Sequence, residues 1–139
     1  MSTDRTTHTF WKLIESCNVI VPKLQRDYAQ GREHDPAIEQ IRNSLIDEIY
    51  SSVTENKTLV LNFIYGEKAD DKFVPVDGQQ RLTTLFLLHW YVFEKSGFSD
   101  GLERLKGFSY ETRDTSRRFC ENICDLAIDF SKETVSEQI

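Results

Sequence analysis

The stretch Phe73-Val74-Pro75-Val76-Asp77-Gly78-Gln79-Gln80-Arg81-Leu82-Thr83-Thr84-Leu85 decides the fold. Its first half is apolar and rich in valine, which reads as a strand. Gly78 then offers backbone angles that other residues avoid. From Gln79 to about Lys95 the pattern becomes helical, with Leu82, Leu85, Phe86, Leu87, Leu88, Trp90, Tyr91, Val92 and Phe93 making it apolar nearly all round. Such a helix is expected to be buried and central. Ser96-Gly97 ends it.

Upstream of this stretch, Leu59-Val60-Leu61-Asn62-Phe63-Ile64-Tyr65-Gly66 reads as a second strand, joined to the first by a charged connection at residues 67–72. Two apolar runs with a short polar link suggest a hairpin. Pro75 donates no ladder hydrogen bond and places its strand at an edge or in irregular pairing. Asp35-Pro36 is an N-cap followed by proline at the first helical position. The helix that follows runs to about Tyr50, with Ile38, Ile41, Leu45, Ile46 and Ile49 on one face. Before it lie a helical segment at residues 7–17, a short strand Val19-Ile20-Val21-Pro22 and a polar loop at residues 23–36. Downstream, a short strand fits residues 108–112, and Asp114 or Thr115 caps a last helix to about Phe130. The order helix, strand, helix, hairpin, helix, helix predicts an α/β (α+β) fold, a small mixed sheet flanked by about four helices.

With 139 residues, 39% hydrophobic and 29% charged, the chain has the composition of a globular domain, and residues 1–139 are expected to form one. No run approaches the ~18 apolar residues of a membrane span. The segment MSTDRTTHTF lacks the basic and apolar regions of a secretory signal, so a cytoplasmic location is expected. Cys17, Cys120 and Cys124 form no CxxC pair, and His8, His34 and His89 share no ligand spacing with them. Small core residues are the expected reading for the cysteines. A net charge of −6 offers no overall surplus for phosphate neutralisation. Contact with nucleic acid then requires a local patch or a further part of the protein.

Chemistry concentrates at the strand-to-helix turn. A helix N-terminus presents unpaired N–H groups and a partial positive charge, a natural seat for an anion. Arg81 in the first turn opposes the dipole, at a cost of up to about 1 kcal/mol. A bound phosphate relieves that conflict and accepts the planar donors of the guanidinium. Gln79 and Gln80 add amide donors and acceptors. Asp77 has three roles open to it: holding a divalent cation, orienting a water, or capping the helix. The plainer reading, an Asp77 cap and ordinary helix formers on a wet face, stands beside the anion site. A second arm is offered by Leu24-Gln25-Arg26-Asp27-Tyr28 in the polar loop, where another Gln-Arg pair can converge on the same anion. Its alternative is a solvated loop with local ion pairs, each contributing about 0–1 kcal/mol. Arg113, Arg117 and Arg118 form a third cluster, read as a DNA-backbone contact or as partners of Glu111, Asp114 and Glu121 at helical spacing.

The pairing of V-P-x-L-Q-R-D-Y (residues 21–28) with V-D-G-Q-Q-R-L-T-T-L (residues 76–85) resembles the N-terminal domain of the GmrSD-type restriction endonucleases. The resemblance implies a ParB/sulfiredoxin-like fold in which a glycine-and-arginine turn at a helix start holds phosphates. It implies nucleoside triphosphate binding and hydrolysis, with Mg2+, regulating cleavage of modified phage DNA. Carried over, Asp77, Gly78, Gln79, Gln80 and Arg81 form the nucleotide site, with Asp77 the metal or water ligand and Asp77, Gln79, Gln80 and Arg81 the catalytic set. Gln25 and Arg26 become the second phosphate arm, and Asp27 and Tyr28 line the site. The sequence departs from the family where Leu24 replaces an aromatic and Ala29-Gln30 follow Tyr28 in place of a nearby tryptophan, which implies a subgroup with its own ligand preference. In such proteins the nuclease lies in a C-terminal HNH-type domain. This chain has no such histidine arrangement, so it is expected to be the N-terminal, regulatory part of a longer protein that reaches DNA through the whole and does not cut it alone. A non-catalytic nucleotide or DNA sensor is the alternative function.

Overall fold

The computed structural model describes residues 7–22, 34–61, 64–111 and 114–125. Among these, five helices surround a four-stranded mixed sheet: α1 (Phe10–Ser16), β1 (Asn18–Val21), α2 (Pro36–Thr54), β2 (Tyr65–Ala69), β3 (Lys72–Asp77), α3 (Gln79–Ser96), α4 (Ser99–Leu105), β4 (Phe108–Tyr110) and α5 (Asp114–Ile123). The sheet order is β2-β3-β1-β4. β1 runs parallel to β3 and β4, and β2 closes an antiparallel hairpin with β3. The α+β reading of the sequence therefore holds, with α4 as an additional helix.

β1 is paired on both sides and alternates accordingly, with Val19 and Val21 buried between half-buried neighbours. α3 lies across the sheet and presses Leu82, Phe86 and Trp90 into the core, where the rings of Phe86 and Phe108 stack at 4.7 Å. Trp90 donates its indole N–H to the Ile123 carbonyl at 2.9 Å, tying α3 to the end of α5. The cysteines are buried, as read from the sequence: Cys120 and Cys124 belong to the same cluster, and Cys17 is 3% exposed. Burial pushes the thiols of Cys120 and Cys124 up to about 12, so both stay protonated and unreactive at neutral pH. Caps follow the expected chemistry. Thr9 accepts from Lys12 N–H, and Asp35 accepts from Ala37 and Ile38 N–H ahead of Pro36.

The structure departs from the sequence reading in several places. The hairpin turns tightly at residues 70–71, with Asp70 at φ 53°, so Glu67, Lys68 and Ala69 pair with β3 and the apolar residues 59–61 stay outside the strand. Pro75 lies in an interior strand but in irregular pairing, the second of the two placements the sequence allows. It is tolerated because the β1–β3 register covers Lys72 and Phe73 only, and a pairing irregularity at Tyr65/Gly66 lies opposite. α4 was not anticipated, being seven residues long and containing Gly101. That glycine is buried where a Cβ would come within 2.5 Å of the Phe98 ring and 2.7 Å of Phe93. Finally, α2 buries none of its 19 residues; α5 is described over Asp114–Ile123, and the expected continuation to about Phe130 lies outside the described residues. No helix among the described residues is long and apolar enough to cross a membrane.

Candidate functional site

The turn from β3 to α3 is built by local necessity. Gly78 is the N-cap of α3, at φ 85° and ψ 12°, a left-handed conformation that costs an L-residue about 1–2 kcal/mol. A Cβ there would also meet Ile64 Cγ1 at 2.6 Å. With glycine as the cap, the helix has no side-chain cap, and no acid sits in its first turn. Asp77 is thus not the helix cap; it is the exposed last residue of β3, opposite Tyr65.

Gln79 donates its amide to the carbonyls of Pro75, at 2.8 Å, and Val76, at 3.3 Å. This clamps the first helical turn onto the strand it follows. Thr83 fixes the next turn from the other side: its hydroxyl donates to the Gln79 carbonyl at 2.9 Å and lies 2.7 Å from the Tyr110 hydroxyl on β4. Both Thr83 and Thr84 are buried, at 5% exposure. The helix start is therefore held by strands on two sides and is rigid enough to serve as a binding platform.

Arg81 is half-buried, and its guanidinium folds back over the turn. One terminal nitrogen stands 3.4 Å from where a Gly78 Cβ would be. The cation thus sits at the positive end of the helix, against the dipole. This corner opens into a cleft of about 910 Å3 lined by Asp77, Gly78, Gln79, Gln80 and Arg81. Its opposite wall is a stripe of α2: Gln40, Ser44 and Glu48 at successive turns, with Ile41 and Leu45 beside them. Val60, Leu61 and Val76 complete it.

The five residues of the D-G-Q-Q-R motif are thus brought together. Gln25, Arg26, Asp27, Tyr28 and Arg113 lie outside the described residues. Arg117 and Arg118 are exposed on α5 and do not line the cleft. Sequence reading missed the α2 wall, because periodicity places its apolar residues on one face without saying what that face meets. The signal was present in Gln40, Ser44 and Glu48, polar residues repeating every turn directly beside that stripe.

The signature of the family described as GmrSD restriction endonuclease, N-terminal domain, matches residues 10–138. The chain belongs to that family. No curated protein and no solved structure gives a match. The GmrSD N-terminal domain assignment spans nearly the whole sequence, including both motif-bearing segments, the hairpin and all five helices.

Proposed function

We propose that this GmrSD N-terminal domain binds a nucleoside triphosphate at the start of α3 and that its binding and hydrolysis regulate cleavage of modified phage DNA by a nuclease domain elsewhere in the protein. The reading rests on one observation: the Arg81 guanidinium lies folded over the Gly78 turn at a helix N-terminus that has neither a side-chain cap nor an acid in its first turn. Phosphate oxygens can accept both from the guanidinium and from the N–H groups of the helix start.

The charges lining the cleft are Asp77, Glu48 and Arg81, a net −1 among the described residues. A triphosphate needs further positive charge there. No group of three or more metal-ligating side chains occurs among the described residues. Mg2+ keeps several waters and binds through one or two carboxylates and the substrate phosphates. Asp77 would hold it, and Mg2+ when bound neutralises phosphate charge. Gln25 and Arg26 are proposed as the second phosphate arm, with Asp27 and Tyr28 beside them. Gln80 faces the cleft and is proposed to orient the terminal phosphate or the attacking water.

The test is phosphate release from a panel of nucleoside triphosphates with Mg2+. Arg81→Ala is expected to lower turnover at least about tenfold, the scale for losing one charged donor to a phosphoryl group; full activity in that variant would refute the site. A second reading is favoured by the hydrogen bonds of Gln79, whose amide is engaged with Pro75 and Val76 and holds the turn. In that reading the domain senses the nucleotide without turning it over. Calorimetry showing tight binding with no phosphate released would select it.

A further inference from the structure

α2 poses a problem that a phosphate site does not solve. It carries five isoleucine and leucine residues on one face, yet buries none of them, and Ile41 is 59% exposed. An apolar stripe on a helix ordinarily has something to cover it. Here Ile41 and Leu45 face the same cleft as the D-G-Q-Q-R turn, across from Val76. Three separate segments contribute aliphatic side chains to that wall, and Val60 and Val76 are 73% and 50% exposed. A triphosphate alone has no apolar surface to place there. The occupant that fits the whole cleft is anionic at one end and flat and apolar at the other.

Resting on the nucleotide reading above, we infer that the cleft-facing stripe of α2 is the nucleoside subsite. Ile41 and Leu45 pack against the face of the base, and Gln40, Ser44 and Glu48 form the polar rim that meets its edge or the ribose hydroxyls. The open cleft, about 910 Å3 in volume, has room for a mononucleotide. Charge argues for a mononucleotide rather than a strand of nucleic acid. A continuing backbone would carry phosphates past Glu48 as well as Asp77, two carboxylates against the single cation of Arg81 on the described lining. Glu48 instead suits donors: ribose hydroxyls, or the ring and exocyclic N–H groups of a base. Aliphatic packing on a base face is tolerant of base identity, so the polar rim of α2 sets whatever preference the site has.

The test compares binding of nucleoside triphosphates with that of inorganic tripolyphosphate, both with Mg2+, to the full chain. The wild type is expected to bind the nucleotide at least about tenfold more tightly. The double variant Ile41→Ser/Leu45→Ser is expected to lose that preference while its tripolyphosphate affinity stays within about twofold. Ile46→Ser, on the same helix but outside the cleft, controls for disturbance of α2 and should keep the preference. Arg81→Ala should weaken both ligands. A wild type that binds the two equally, or a double variant that keeps the preference, overturns the nucleoside subsite and leaves the phosphate site standing. The stripe would then be a packing surface for protein. Binding of neither ligand overturns the phosphate site, and the subsite with it.

Discussion

α2 and α3 are nearly equal in length, 19 and 18 residues, and both carry long apolar stripes, yet they have opposite fates. α3 buries Leu82, Phe86 and Trp90 with two threonines between them, while α2 buries nothing. The difference is one of placement. α3 follows directly on β3, so the strand lays it across the sheet, where it meets β4 and α5. α2 leaves the sheet after β1 and returns only through the hairpin, so its stripe faces the cleft instead. Periodicity says that a helix has an apolar side; connectivity decides whether that side meets the core or an open cleft.

The sharpest way to break this comparison is to truncate one stripe residue in each helix. Phe86 is fully buried and stacked on Phe108, so Phe86→Ala is expected to cost about 4 kcal/mol. Ile41→Ala, at an exposed position, should stay within about 0.5 kcal/mol. Urea midpoints measure both. An Ile41→Ala loss as large as that of Phe86→Ala would mean that α2 is part of the core after all.

Next in size is the contrast between the two ends of α3, each marked by a glycine with positive φ. Gly97 has nothing within 4 Å of an added Cβ, so Gly97→Ala meets only the left-handed backbone cost, about 1 kcal/mol. Gly78→Ala adds the 2.6 Å encounter with Ile64, for a total of about 3 kcal/mol, at the turn on which the cleft is built. Nucleotide binding should fall with Gly78→Ala and survive Gly97→Ala. Equal losses of stability would show that the Ile64 contact relaxes freely.

The same comparison explains what was legible in the sequence. The β3–Gly78–α3 unit was readable because strand, glycine and helix signals are local and agree. β1, the Asp35-Pro36 start of α2 and the Gly97 end of α3 were readable for the same reason. What escaped depended on non-local pairing. The tight turn at residues 70–71 moved charged residues into β2 and left Val60 and Leu61 to line a cleft. A seven-residue helix with a central glycine gives little periodic signal, and it is the fold that brings the Phe93 and Phe98 rings over Gly101 and buries Leu105. The motif half of the site was visible in the turn, whereas the α2 wall required knowing which helix the hairpin would bring opposite.

The smallest effect concerns the core face of α3, where titration has no counterpart on α2. His89 is half-buried between the rings of Phe10, at 4.7 Å, and Phe93, at 5.7 Å, and its Nδ1 lies 2.7 Å from the Leu85 carbonyl. Desolvation lowers its pKa below the ordinary 6.5, only partly offset by the hydrogen bond to that carbonyl. The folded state therefore favours the neutral ring, and the unfolded chain takes up a proton first as pH falls. His89 contributes its full share of stability above about pH 6.5, and that share is lost as pH drops toward the lower folded-state value. Melting temperature should decline between pH 7.5 and 5.5 in the wild type and decline less in His89→Leu, which removes the titrating group from an apolar site. Comparing the two slopes cancels the carboxylates they share. Parallel slopes would mean that the ring is already solvated when charged, and that α3 is less tightly covered on this face than its aromatic contacts require.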